Sequence, residues 1–264
     1  MLIYDQHIHS SYSQDSHEDI EKYFKIASEN DIKYVVTCEH FDPHTTVDDT
    51  TWIADYDALI EEHKILKEKY PNVTPLLGLE FGYRHEYLHE GIELVNKYPF
   101  DLIQFSLHDN GKWDYYFKSA YKIGAVKSLN EYFDLLYQGM CEYKNYDVLS
   151  HIDFAYKTAL YENPDLKFDL FEDKVIRIFK MLIDEGKAFE INTKVQESIN
   201  NDDHVRYMLN LYKSLGGVKL TLSSDAHSVD RYNSSFPRYI KLIKECGFNE
   251  LRYYVKRKEY TFNI

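Results

Sequence analysis

The sequence predicts an α/β protein, a single domain over residues 1–264, whose parallel strands close into a barrel. Three observations lead there. Short runs rich in β-branched and aromatic residues alternate with amphipathic stretches along the chain. Seven such strand–helix units imply a parallel sheet, because parallel neighbours need a crossover and a helix is the usual one. The chain has 264 residues, and α/β barrels of about 200–250 residues commonly form one domain. With this many units, a closed barrel fits better than an open doubly wound sheet.

The strand-like runs are, in order, LIY (2–4), KYVVTC (33–38), VTPLLGLEF (73–81), DLIQFSL (101–107), YDVLS (146–150), KAFEIN (187–192) and GVKLTLSS (217–224). Helical stretches are expected near 18–30, 54–70, 86–97, 129–144, 169–185, 202–215 and 234–246. The segment LFEDKVIRIFKMLIDEG (170–186) spaces its apolar residues by three and four and ends at Gly186, a stop signal.

Composition narrows the function classes. The formal charge of −13 argues against a nucleic-acid backbone as partner, since a polyanion binder needs a basic stripe. No apolar run approaches the roughly 20 residues of a membrane span. MLIYDQHIHS has neither a basic region nor a long apolar core, so no signal peptide is expected. Cys38, Cys141 and Cys246 are widely spaced and odd in number, forming neither a disulfide framework nor a CxxC site. A cytoplasmic protein with reduced, buried thiols is expected. The sequence leaves its oligomeric state open.

The strand ends carry the chemistry. His7 and His9 follow the first run, Glu39 and His40 the second, and Glu80 lies near the end of the third. His108 and His151 end the fourth and fifth, Asn192 the sixth, and the seventh runs into SSDAH with Asp225 and His227. In barrels of parallel strands, active sites are built at this end. Six of the 12 histidines fall at a strand terminus. In extended backbone, side chains two apart share a direction, so His7 and His9, or Asp225 and His227, can grip one ion. Imidazole suits zinc and iron, and carboxylates admit manganese or iron. With Asp15 added, the candidates exceed the four ligands of one tetrahedral zinc. Either two or three divalent ions are bound, or several of these groups orient the ligands.

DQHIHS with Asp15 six residues beyond His9, then TCEHFD, GLEFGYR, FSLHDN, LSHIDFAYK, FEINT and SSDAHS, resembles the PHP (polymerase and histidinol phosphatase) family in order and spread. Its length and the GLE, EINT and SDAH series are most similar to the histidinol-phosphate phosphatase branch. The resemblance implies a distorted (β/α)7 TIM-like barrel with a trinuclear metal centre. It implies that His7, His9, Glu80 and Asp225 hold one ion and that Glu80 bridges to a second held by His108 and His151. Asp15, His40 and His227 would hold the third, with His17 a rival for the Asp15 position. SHID (150–153) stands where related phosphatases have GHPD, and KVQES follows EINT where a Gly-rich turn is expected.

The activity so implied is hydrolysis of histidinol phosphate in histidine biosynthesis, with Asp225, His227 and Glu80 at the catalytic centre and a hydroxide between the ions attacking phosphorus. No cysteine is followed by an arginine at the CxxxxxR spacing of a nucleophilic thiol. Arg84, Lys157 and Lys194 lie just past strand ends, placed to reach a phosphate. Arg231 and Arg238 read as surface residues. Asp42, Asp109 and Asp153 each closely follow a candidate ligand, so they are acceptors for a substrate ammonium or groups that orient the histidines. KWDYYF (112–117) is a candidate pocket wall or lid, or half-buried packing surface. The alternatives are the same chemistry on a phosphotyrosyl protein, another small phosphomonoester or a nucleotide, and a nuclease or structural module. The acidic charge and the lack of a second domain count against the last.

Overall fold

A computed structural model describes residues 4–46 and 50–264. Its main sheet has seven strands: β1 (Tyr34–Asp42), β2 (Trp52–Ile53), β3 (Thr74–Gly82), β4 (Leu102–Ser106), β5 (Val148–Leu149), β6 (Ala188–Asn192) and β7 (Leu220–Ser223). The order is β2-β1-β3-β4-β5-β6-β7, parallel from β1 through β7, with β2 antiparallel on the outer edge of β1. Six of the seven expected strands are present. Of the expected strand 2–4, residues 2 and 3 lie outside the described residues, and Tyr4 is not in a strand.

Among the described residues, Ile8 joins the two ends of the sheet. It bridges in parallel to Thr37 of β1 and to Ala226 just past β7. The Cys38 N–H donates to the Ile8 carbonyl and the His9 N–H to the Ala226 carbonyl, each at 2.8 Å. The curled sheet therefore meets itself across a single residue. Beside it, Gln6 ties this segment to the C-terminal hairpin. Its side chain donates to the Arg252 carbonyl at 2.9 Å and accepts from the Tyr254 N–H at 2.8 Å.

The register stacks the inward side chains in layers. Val36, Leu76, Leu102, Val148 and Ala188 form an apolar floor. Two residues further along each strand come polar or small groups such as Cys38, Gly78, Gln104, Ser150 and Glu190. Two further, at the C-terminal end, come His40, Glu80 and Asn192. The opposite faces (Val35, Leu77, Leu79, Ile103, Phe105, Phe189, Ile191) pack into the main core with the helices. This period of two sends each strand's polar residues to the mouth.

Seven helices lie close to the expected stretches: α1 (Ile20–Glu29), α2 (Tyr56–Lys69), α3 (Leu88–Lys97), α4 (Ala125–Glu142), α6 (Glu172–Asp184), α8 (Asp202–Ser214) and α9 (Phe236–Glu245). Two more were not expected. In α5 (Phe154–Glu162) residues 154–159 are all buried, so it shows no amphipathic period. The other, α7 (Thr193–Ile199), has only seven residues. Cys141 is exposed, contrary to expectation, because it falls off the stripe of Tyr132, Phe133, Leu136 and Met140 that α4 buries.

The sequence reading also omits a C-terminal hairpin, β8 (Glu250–Val255) and β9 (Lys258–Asn263). Its turn residues, Lys256 and Arg257, adopt φ of 52° and 61° without the Asn-Gly signature that announces such turns. Tyr254 packs on the apolar floor and stops the barrel's lower end. No helix among the described residues is long and apolar enough to cross a membrane.

Candidate metal centre

The mouth of the barrel is organised around Glu80, at the inward end of β3 and 1 % exposed. Oε2 lies 3.2 Å from His7 Nε2, 3.5 Å from His9 Nε2 and 3.1 Å from His40 Nδ1. Oε1 lies 3.1 Å from His108 Nε2 and 2.8 Å from His151 Nε2. Five imidazoles from four separate segments thus surround one carboxylate. Burial acts to raise the Glu80 carboxyl, but His7, His108 and His40 outweigh it and hold it well below the usual range.

The ligand-atom sets overlap the expected groupings without matching them: His9, His40 and His227 form one set, and His7, Glu80 and His151 another. His7, His9 and Asp225 bring ligand atoms within 4.8 Å of one another, and His9 Nε2 is 3.4 Å from Asp225 Oδ1. His108 and His151 share Glu80 Oε1. Asp15 stands between His40, at 3.5 Å, and His227, at 2.8 Å. Asp15 and its rival His17 are both exposed. His40 also joins Glu80 and His108 in a further group.

The residues present fit divalent cations. His7 Nε2, His9 Nε2 and both ring nitrogens of His40 are buried and make no hydrogen bond. An unpaired buried nitrogen is costly unless something else takes its lone pair. Burial, then His227 and His40, pushes His9 well below its usual value, whereas the neighbouring carboxylates outweigh burial and raise His7, His40 and His108 above theirs. Imidazoles mixed with carboxylates suit zinc, iron or manganese.

A second layer holds these groups in place. Glu190 lies 2.8 Å from His7 Nδ1, accepts from the His151 N–H at 2.8 Å and binds the Ser223 hydroxyl. Asp42 lies 2.9 Å from both His40 Nδ1 and His108 Nδ1. Glu39 points to the other face of β1, where the Ser10 and Ser13 hydroxyls donate to it, and Ser13 Oγ lies 3.2 Å from His9 Nδ1. Asp225 has φ of 51°, an unfavourable region for a non-glycine residue. Asn192 Nδ2 donates to it at 3.2 Å while the Asn192 carbonyl oxygen caps α7. Glu190 and Ser13 were missed by sequence reasoning, and Asp5, in the DQHIHS motif, was given no role. The one available signal was Glu190, a carboxylate inside the apolar strand KAFEIN, two residues before Asn192.

Above the cluster opens a cavity of about 410 Å³. Lys157 and Lys194, on the first turns of α5 and α7, and Arg84 line it. Lys194 Nζ lies 3.1 Å from Asp225 Oδ1 and 3.0 Å from His227 Nδ1. Lys157 is held over the Phe154 ring at 4.0 Å, and burial, then Lys194, push its pKa down to about 8. Arg84 pairs with Asp109 at 2.6 Å. Asp153 does not reach the cavity; it accepts from Gln196 at 2.7 Å and lies 2.8 Å from His204 Nε2. Arg231 pairs with Glu197 and Arg238 with Asp202, also away from the cavity. Within 112–117, Asp114, Tyr116 and Phe117 form part of the wall, while Tyr115 is fully buried.

Comparison with known proteins gives the same outline. A "Probable histidinol-phosphatase" of Clostridium acetobutylicum is 25 % identical over 261 residues, covering 98 % of this chain and all of its own. The histidinol-phosphatase of Lactococcus lactis subsp. lactis is 26 % identical over 250 residues, 94 % of this chain and 92 % of that one. A crystal structure of histidinol phosphate phosphatase from the same organism, complexed with zinc, L-histidinol and phosphate, superposes with a TM-score of 0.88. It covers 98 % of both chains at 24 % identity and shares this fold. The sequence model of the PHP domain matches residues 5–194, the stretch that runs from the HIH pair through every ligand-bearing strand end but the last. On that match, the chain belongs to the PHP domain family.

Proposed function

We propose that this protein is a metal-dependent phosphomonoesterase that hydrolyses L-histidinol phosphate to L-histidinol and phosphate. The observation that carries this reading is the ring of five imidazoles around Glu80 beneath a cavity lined by two lysines and an arginine. Whole-length similarity to histidinol-phosphatases supports the substrate.

In this reading His7, His9, Glu80 and Asp225 would hold one ion, Glu80, His108 and His151 a second, and Asp15, His40 and His227 a third. Divalent cations so bound supply Lewis acidity and make water acidic enough to be a nucleophile at neutral pH. Glu80, Asp225 and His227 form the floor on which the phosphorus is attacked. Lys157 and Lys194 draw the phosphate oxygens down to that floor and neutralise their charge. Arg84, already held by Asp109, stands at the rim. Asp42 and Glu190 keep the rings aimed inward, through His108 and through His7. The aromatic wall of Trp52, Tyr116, Phe117 and Phe154 faces the organic part of the substrate and limits water.

The test is phosphate release from histidinol phosphate, a phosphotyrosine peptide, nucleotides and single-stranded DNA, beside elemental analysis of untreated protein. A clear kcat/KM preference for histidinol phosphate with two or three bound ions is expected. A rate on histidinol phosphate no better than on the rest would overturn the substrate assignment.

A further inference from the structure

The carboxylates lining the cavity can be sorted by what each already holds. Asp15 and Asp42 lie against histidines, and Glu80 is ringed by them. Asp225 faces Lys194 and His9, and Asp109 pairs with Arg84. Asp114 remains. Its Oδ1 accepts the Tyr116 backbone N–H at 2.6 Å, and among the described residues no cation or imidazole pairs with it. Burial, only partly offset by that amide and by His108, pushes its pKa up to about 6, as befits a buried carboxylate with no direct ion pair.

Its surroundings are equally unfinished. Tyr116 and Phe117, the next lining residues along the chain, are 57 % and 43 % exposed, unusual for such large rings. They meet edge to face at 5.2 Å. Lys157 Nζ stands 5.4 Å from the Tyr116 ring, yet makes no ion pair with Asp114. An unpaired anion beside exposed aromatic rings is a site for an organic cation, which gains from both the carboxylate and the rings. The lysines draw a phosphate to the floor, so the group that reaches this wall is the leaving alcohol.

We propose that Asp114 is the specificity-determining residue of the cavity, receiving a cationic nitrogen of the leaving alcohol while Tyr116 and Phe117 cover its ring. The inference rests on the histidinol phosphate reading and deepens it. Histidinol offers two such nitrogens, its ammonium and its imidazolium. Asp42, Asp109 and Asp153, the acceptors suggested by sequence, are all engaged within the protein.

The experiment compares metal-loaded wild type with Asp114→Asn, which keeps an acceptor for the Tyr116 N–H and removes only the charge. Four phosphomonoesters are used: histidinol phosphate, its analogue without the amino group, phenylalaninol phosphate and phenyl phosphate. The readout is kcat/KM for each of the first three relative to phenyl phosphate. For histidinol phosphate this ratio is expected to fall about 10- to 100-fold in the variant, the worth of a charge-assisted hydrogen bond. It should fall similarly for one single-cation analogue and not for the other, which identifies the nitrogen. The inhibition constant of free histidinol should rise by the same factor. A histidinol phosphate ratio that does not move overturns the role of Asp114, whether activity is kept or lost on both substrates. Failure of the underlying reading shows separately, as a wild-type enzyme that does not prefer histidinol phosphate to phenyl phosphate.

Discussion

Asp5 and Ser224, 219 residues apart in sequence, are joined by two hydrogen bonds. Asp5 Oδ1 accepts the Ser224 N–H at 3.0 Å, and Oδ2 accepts its hydroxyl. Oδ1 also takes the His7 N–H at 3.3 Å. One buried carboxylate therefore fastens the HIH segment to the segment that holds Asp225 in its left-handed conformation. Asp5→Ala leaves three donors unpaired and should cost about 2–4 kcal/mol of stability. Asp5→Asn keeps an acceptor and should cost less. Urea denaturation checks both, and equal losses would show that the fastening is not what matters.

Glu80→Gln should lose bound metal and activity together. The amide cannot offer two anionic oxygens to imidazoles on both sides. Elemental analysis paired with phosphate release is the measurement. Full metal content with wild-type turnover would remove Glu80 from the centre.

Glu190→Gln should weaken metal binding about 10- to 100-fold without touching a substrate group, because Glu190 meets His7 and the His151 N–H from behind. Titration with a metal chelator reads the change. Unaltered affinity would make Glu190 a packing residue only.

Lys157→Ala should raise KM about tenfold or more, since Lys157 has no anionic partner among the described residues and is available to phosphate. Arg84→Ala should raise it less, because that guanidinium is already spent on Asp109. Steady-state kinetics on one substrate decide the order, and a larger effect at Arg84 would reverse these roles.

His63, buried in α2 with Nε2 3.2 Å from the Thr37 hydroxyl, has its pKa lowered by burial from 6.5 to about 4. The unfolded chain takes up a proton near pH 6.5, whereas the folded protein resists until about pH 4. Stability from this group is complete above 6.5 and falls as pH drops through that window, by up to about 3 kcal/mol. Subtracting the pH–stability curve of His63→Gln from that of the wild type should isolate the slope. Parallel curves would rule it out.

The strand ends were readable because their chemistry is local. A histidine two residues from another, or a DAH after an apolar run, declares its direction through the pleat. Lys157 and Lys194 were readable as positions just beyond a strand, although the helices that carry them were not. Asp153 reads the same way, but α5 begins there and turns it toward His204 and Gln196. Asp114 and Asp5 were hidden for a different reason. What each carboxylate does depends on which partners the others have taken, and that is settled only when distant segments meet. The hairpin escaped because its turn relies on Lys256 and Arg257 in a conformation that glycine and asparagine usually signal.

Among the described residues the sheet meets itself through Ile8, a narrow seam that runs between the HIH segment and SDAH. Cations gripped from both sides, as the proposed function has them, would act as rivets across it. The empty protein should therefore breathe most easily at the very place where it works, with amide exchange at residues 8–10 and 225–227 slowed once ions are added. Catalytic readiness and the integrity of the wall would then be one and the same property.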